Sequence, residues 1–201
     1  MSEPTSYSPP QAASPDCELV STRTLPFPRA RVFTAWTHPD WHAKWWGPAG
    51  FTNTFHEYDL RPGGRWRFIM HGPDGTNYDN HSVFDHIAVN ECIVFRHTTA
   101  PEFTVVATFT DDGEGTHVEF RMIFANAEIC AAITKYAKGK NEENFDRLTT
   151  VLAEMGDNSG ADRELVMMRI IDAPPAAIYQ AWATRLPEWF CPKPWTVPHC
   201  D

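Results

Sequence analysis

The sequence predicts an α+β fold in which a curved antiparallel sheet wraps around one long C-terminal helix. Two patterns carry this expectation. From Phe51 to Phe124 apolar and polar residues alternate with period two, and short turns interrupt the alternation. After it, Phe145, Leu148, Leu152 and Met155 recur at helical spacing up to Gly156. A third pattern, the return of the chain's opening after residue 163, adds an incomplete second copy.

Residues 1–16 are rich in Ser, Pro, Ala and Thr, with little to bury, so they are expected to form a disordered leader. Glu18 to Thr24 has the character of a strand. Pro28 suits the first helical residue, and Val32, Phe33 and Trp36 supply the apolar stripe behind it. Pro39 opens a second short helix through Trp41 to Trp46, which Gly47-Pro48 ends. Trp66, Phe68 and Met70 then alternate with Arg65, Arg67 and His71, as in a strand with one buried face. Gly72-Pro73-Asp74-Gly75 forms the turn, because Pro fixes φ and Gly accepts φ above zero. Further strands are expected at Tyr78–Ile87, Cys92–Thr98, Phe103–Thr110 and Thr116–Phe124. Gly113 and Gly115 mark the last hairpin. Such a meander needs a cover on one face, and the terminal helix is the element long enough to provide it. Where the two fail to meet, a cavity remains.

The reading ELVSTRTLPFPRARVFTAW at residues 18–36 returns as ELVMMRIIDAPPAAIYQAW at residues 164–182. Eight of nineteen positions are identical without a gap, where about one is expected by chance. With a two-residue deletion, Trp45-Trp46-Gly47-Pro48 aligns with Trp189-Phe190-Cys191-Pro192. The expected organisation is a leader over 1–16, a complete domain over 17–156, a linker over 157–163 and a truncated second copy over 164–201. With the apolar residues it carries, that fragment is expected either to pack against the first domain or another chain, or to be the start of a longer native protein, and a homodimer is among the expected partners.

Three stretches, Trp45-Trp46-Gly47-Pro48, Arg61-Pro62-Gly63-Gly64-x-Trp66 and Met70-His71-Gly72-Pro73-Asp74-Gly75, resemble the activator of heat-shock protein 90 ATPase homologue family. The resemblance runs in order through 18–155. It implies the helix-grip (START-like, birch-pollen-allergen-like) fold, whose members hold apolar ligands between sheet and helix. Some members of that superfamily are cyclases or dehydratases of polyketides, so it also admits an enzyme. The namesake co-chaperone contacts its chaperone through an additional N-terminal domain with no counterpart in residues 1–16. A chaperone partner therefore stands as a third reading.

A net charge of −9 argues against nucleic acid and anionic membranes, which require clustered Lys and Arg. Five widely spaced cysteines without C-x-x-C predict neither disulfides nor a zinc knuckle. The start has no signal-peptide pattern, and no apolar run approaches the length of a membrane span. The expected setting is reducing and cytoplasmic. No cofactor is called for: Gly63-Gly64 opens no helix, and no Ser or Cys sits in a nucleophile elbow.

Ligand-binding positions follow from the inward parity of the strands. They are Trp46, Trp66, Phe68, Met70, Tyr78, Asn80, Phe84, Phe95, Val105, Phe120, Met122 and Phe145. One of two registers puts Tyr78, Asn80, Ser82 and Phe84 together on that face. Trp41, Trp45 and Trp46 either dock the short helices or wall the pocket mouth, with Trp46 the pocket candidate. His56, Tyr78 and His97 are the acid–base candidates should the domain be an enzyme. No metal site is expected. His38 precedes the helix that carries His42, and His81 and His86, five apart on one strand, should face opposite sides.

Overall fold

The computed structural model describes residues 7–156, 171 and 173–185. The chain divides into two compact units, Met1–Asp162 and Arg163–Asp201. No helix among the described residues is long and apolar enough to cross a membrane.

In the first unit a single 3₁₀ turn, Pro15–Cys17, leads into β1 (Glu18–Leu25). Two short helices follow, α1 (Arg29–Thr37) and α2 (Pro39–Trp45). Six strands come next: β2 (Thr52–Tyr58), β3 (Arg65–His71), β4 (Asn77–Ala88), β5 (Cys92–His97), β6 (Phe103–Asp112) and β7 (Gly115–Phe124). The last element is α3 (Ala127–Glu154). The strands form one antiparallel sheet in the order β1-β7-β6-β5-β4-β3-β2. The first strand thus pairs with the last of the meander, Leu19 opposite Met122 and Ser21 opposite Phe120.

The predicted alternation sets the inner face. Trp66 and Phe68 are buried while Arg65 and Arg67 are exposed. On β7, Val118, Phe120, Met122 and Phe124 are buried and the residues between them are not. Trp66 and Phe120 share one face, since the Trp46 ring lies 5.2 Å from the former and 6.1 Å from the latter. A smaller apolar cluster of Cys92, Val94 and Val106 sits on the outer face.

The long helix extends well before its legible stripe. It starts at Ala127, where the Asn126 side chain accepts a hydrogen bond from the Ile129 N–H at 2.9 Å and caps the first turn. It ends with Gly156 at φ +67, a backbone region open to glycine. Its C-terminal half packs Phe145, Leu148, Val151 and Leu152 into the core. Asn141 fixes it to β1 by donating to Ser21 Oγ at 3.1 Å. Arg23 adds a surface link, reaching Glu142 at 2.6 Å and Asp146 at 3.0 Å.

One expectation about parity is corrected. The β4–β5 register skips a residue between Phe84 and His86, so His86 opposes the outward Val94 and Ile87 opposes the inward Ile93. This bulge puts His81 and His86 on the same outer face, because an extra residue shifts the two-residue period by one. His86 there stacks on Tyr7 with ring centroids 3.7 Å apart.

In the second unit the described helix is α4 (Pro175–Thr184). Its start stands 146 residues after that of α1, the offset of the repeat. The strand expected at the head of that copy and the stretch Trp189-Phe190-Cys191-Pro192 lie outside the described residues, as does the linker.

Candidate functional site

Between the inner face of the sheet and α3 lies a cavity of about 570 Å³. Its floor follows from strand pairing. Across β3 and β4, Trp66 opposes Ser82, Phe68 opposes Asn80 and Met70 opposes Tyr78, while Ser82 opposes His97 on β5. Phe95, Phe103, Phe120 and Met122 extend the wall along β5, β6 and β7, and Thr99-Ala100-Pro101 closes one side. The roof is Ala137, Lys140, Asn141 and Asn144 of α3, with Trp46-Gly47-Pro48 at the mouth. At those helix positions the side chains are small or polar, whereas one turn later they are large and apolar. The helix fills the space beneath Phe145 and Leu148 and leaves it open beneath Ala137 and Asn144.

The mouth is built by the end of α2. Trp46 leaves the helix in an extended conformation, and Gly47 takes φ +96. A Cβ on Gly47 would also stand 3.2 Å from both Met70 Sδ and Cε, so glycine lets the cavity wall approach the loop. Arg147 of α3 donates to the carbonyls of Lys44 at 2.6 Å, Gly47 at 2.6 Å and Pro48 at 2.9 Å. It thereby ties the last turn of α2, through Lys44, to the loop after it, where the Pro48 carbonyl also accepts from the Phe51 N–H at 3.1 Å. Desolvation lowers its pKa from the ordinary guanidinium value.

Of the residues the sequence proposed for binding, Trp46, Trp66, Phe68, Met70, Tyr78, Asn80, Phe95, Phe120 and Met122 line the cavity. Phe84, Val105 and Phe145 are buried in the core instead. Phe84 packs under Tyr58, at 5.6 Å between rings, beyond the cavity's end. Val105 is too short to reach past its neighbours Phe95 and Met122. Phe145 lies where α3 already meets the sheet, beneath the Arg23 guanidinium at 5.6 Å. Trp45 is core, its Nε1 donating to the Ala35 carbonyl at 2.9 Å, and Trp41 stacks under Lys44. The sequence did not offer Lys140, Asn141 and Asn144, because polar residues on a helix carry no apolar period.

The three acid–base candidates separate. His56 is the bulged residue of β2 and is exposed on the outer face. Tyr78 borders the cavity at its rim and is 47% exposed. His97 borders it from within, stacked on Phe103 at 4.6 Å. Its Nδ1 lies 3.2 Å from the Pro101 carbonyl and its Nε2 3.1 Å from Asn80 Oδ1. Both nitrogens face acceptors, which suits an imidazolium. Desolvation opposes that charge and lowers the pKa, outweighing the main-chain hydrogen bonds that raise it. The neutral ring donates through one nitrogen at a time.

Next to the cavity, His42 is locked as a neutral ring. Tyr58 donates to the Trp36 carbonyl at 2.9 Å, so its oxygen accepts from His42 Nδ1–H at 3.0 Å. Burial lowers the His42 pKa from 6.5 to about 3 and raises that of Tyr58. Between those two pH values the unfolded chain binds a proton that the folded one refuses. Stability from this group is therefore complete above pH 6.5 and is lost as the pH falls toward about 3. The slope is about 1.4 kcal/mol per pH unit. Urea titrations at pH 7 and pH 5 should show the advantage of wild type over His42→Phe shrinking by about 2 kcal/mol. An advantage that does not change with pH would mean that His42 is not held neutral. Among the described residues no cluster of three or more His, Cys, Asp or Glu is placed to hold a metal ion.

Comparison with known proteins agrees with this architecture. A Nitrosomonas europaea protein of known structure superposes with a TM-score of 0.67 at 18% identity, over 72% of this chain and 99% of the other. A Rhodobacter sphaeroides protein gives 0.65 at 19%, over 70% and 95%. A Mycobacterium smegmatis protein gives 0.60 at 24%, over 73% and 94%. At these identities the likeness is one of fold. No curated protein matches the chain. The family described as Activator of Hsp90 ATPase homolog 1-like protein matches residues 26–153, from just before α1 to the last turn of α3. That match takes in the short helices, the six strands after them and nearly all of the covering helix, and the chain belongs to this family.

Proposed function

We propose that the domain binds a small, largely apolar aromatic molecule in the cavity between sheet and α3. The observation that carries this reading is the wall itself: Trp46, Trp66, Phe68, Phe95 and Phe120 around about 570 Å³, within the size range of small-molecule sites. Aromatic side chains at edge-to-face spacing offer an incoming ring the contacts they offer each other, as between Trp46 and Trp66 at 5.2 Å. Met70 adds an adaptable wall. The net charge of −9 also favours a small molecule over nucleic acid as the partner.

The test is the fluorescence of Nile red, an uncharged apolar dye, with the full chain. Wild type should enhance it saturably. Met70→Arg, which brings a cation to the wall, should weaken the affinity by more than about tenfold while unfolding remains cooperative. Equal dye binding by a folded Met70→Arg protein would place the dye elsewhere and defeat the reading.

A further inference from the structure

An apolar occupant would leave part of the cavity unanswered. Ser82 is 2% exposed and lies on the inner face of β4 between Trp66 and His97. Its Oγ makes no hydrogen bond within the chain. On the facing helix, Asn144 Oδ1 is likewise buried and without a hydrogen bond. Both residues border the cavity, one from the floor and one from the roof. Buried polar atoms are almost always paired, and each one left unpaired costs a factor of ten or so in equilibrium terms. A hydroxyl can donate or accept, whereas an amide oxygen only accepts. The pair therefore asks for an occupant that supplies at least one donor.

Charge narrows the class. The lining holds Lys140, paired with Glu143 at 2.8 Å, and Asp79, whose Oδ1 lies at hydrogen-bond distance, 3.1 Å, from His81 Nε2. Both are exposed, so no charged group stands with the buried Ser82 and Asn144 atoms to balance a charge on the occupant. Resting on the reading of the cavity given above, we infer that its occupant is an uncharged aromatic molecule bearing a hydroxyl group, held between the Ser82 hydroxyl and the Asn144 side-chain oxygen.

Competition against Nile red on the full chain tests this with three probes of one shape: methylnaphthalene, naphthol and naphthoate. In a bare apolar cavity methylnaphthalene binds more tightly than naphthol, since the hydroxyl loses water and gains nothing. Here naphthol should win by about tenfold, and naphthoate should be the weakest of the three. Ser82→Ala and Asn144→Ala should each reverse the order of the first two. Both should leave the melting temperature of the free protein level or raised, because each removes an unpaired buried atom. Methylnaphthalene outcompeting naphthol on wild type would overturn this inference and leave the apolar-cavity reading standing. Tight naphthoate binding would overturn the assignment of an uncharged occupant. Failure of all three probes and of Nile red would remove both readings together.

Discussion

Replacing Gly64 with alanine is expected to destabilise the domain by more than about 3 kcal/mol, lowering its melting temperature by about 10 °C. The cause is local and steric. A Cβ at this position would stand 2.0 Å from the Asp59 carbonyl oxygen and 2.9 Å from that of Arg61. These are main-chain atoms in a turn that cannot swing aside. Asp59 N–H donates to the Arg65 carbonyl at 2.8 Å and Gly64 N–H to the Arg61 carbonyl at 2.8 Å. The same turn is hooked to β4, where Gly63 N–H donates to the Phe84 carbonyl at 2.7 Å and Phe84 N–H to the Gly64 carbonyl at 2.9 Å. Moving it would disturb the register that brings Trp66 opposite Ser82. Gly63 provides the control. It has φ +79, and an added Cβ would meet nothing within 4 Å, so Gly63→Ala should cost only about 1 kcal/mol of backbone strain. Thermal unfolding of the two variants separates crowding from strain, and equal losses would refute this account of the glycine pair.

That pair shows where sequence reading reaches its limit. Gly63-Gly64 was legible as a pair that opens no helix, but two adjacent glycines give no sign that one answers to φ and the other to a carbonyl that an added Cβ would strike. Strand existence was legible because alternation on β3 and β7 spans several residues and each violation would bury a charge. Phase across a bulge was not. One unpaired residue near His86 and another at His56 each shift the faces that follow, and no residue type marks them. The long helix was legible only where it packs tightly. Its earlier half presents Cys130, Ala137 and Asn141 inward, a spacing of whole turns written in small or polar side chains. Read the other way, that change of stripe locates the cavity. Moving back from Leu148 and Phe145 to Asn144, Asn141 and Ala137, the helix loses volume on the side facing Phe120 and Met122. A search for where an amphipathic stripe thins, and not only for where it is strong, would have found the roof.

Arg147 is the residue whose loss should couple stability to the cavity mouth. Its guanidinium reaches the carbonyls of Lys44, Gly47 and Pro48 at 2.6 to 2.9 Å and that of Trp46 at 3.5 Å. Among the described residues its hydrogen bonds all go to the main chain. A planar fork of donors can serve several carbonyls converging from a helix end, and an ammonium cannot match that geometry. Hydrogen bonds to a charged group contribute about 1.5–3 kcal/mol each, and the partial exposure here sets the total nearer the lower end. Arg147→Leu should therefore cost about 3 kcal/mol in urea unfolding. It should also weaken Nile red binding by about tenfold, because Trp46 and Pro48 lose the anchor that sets them at the mouth. Arg147→Lys should recover less than half of either loss. The comparison is Arg23→Leu, which removes the ion pairs to Glu142 and Asp146 on the exposed side of the same helix. Those bridges are surface pairs, so their loss should cost under about 1 kcal/mol and leave dye binding unchanged. If Arg147→Leu behaves like Arg23→Leu on both measures, the carbonyl clamp does not hold the mouth. If stability falls while dye affinity stays level, the clamp holds α2 to α3 but the mouth does not depend on it.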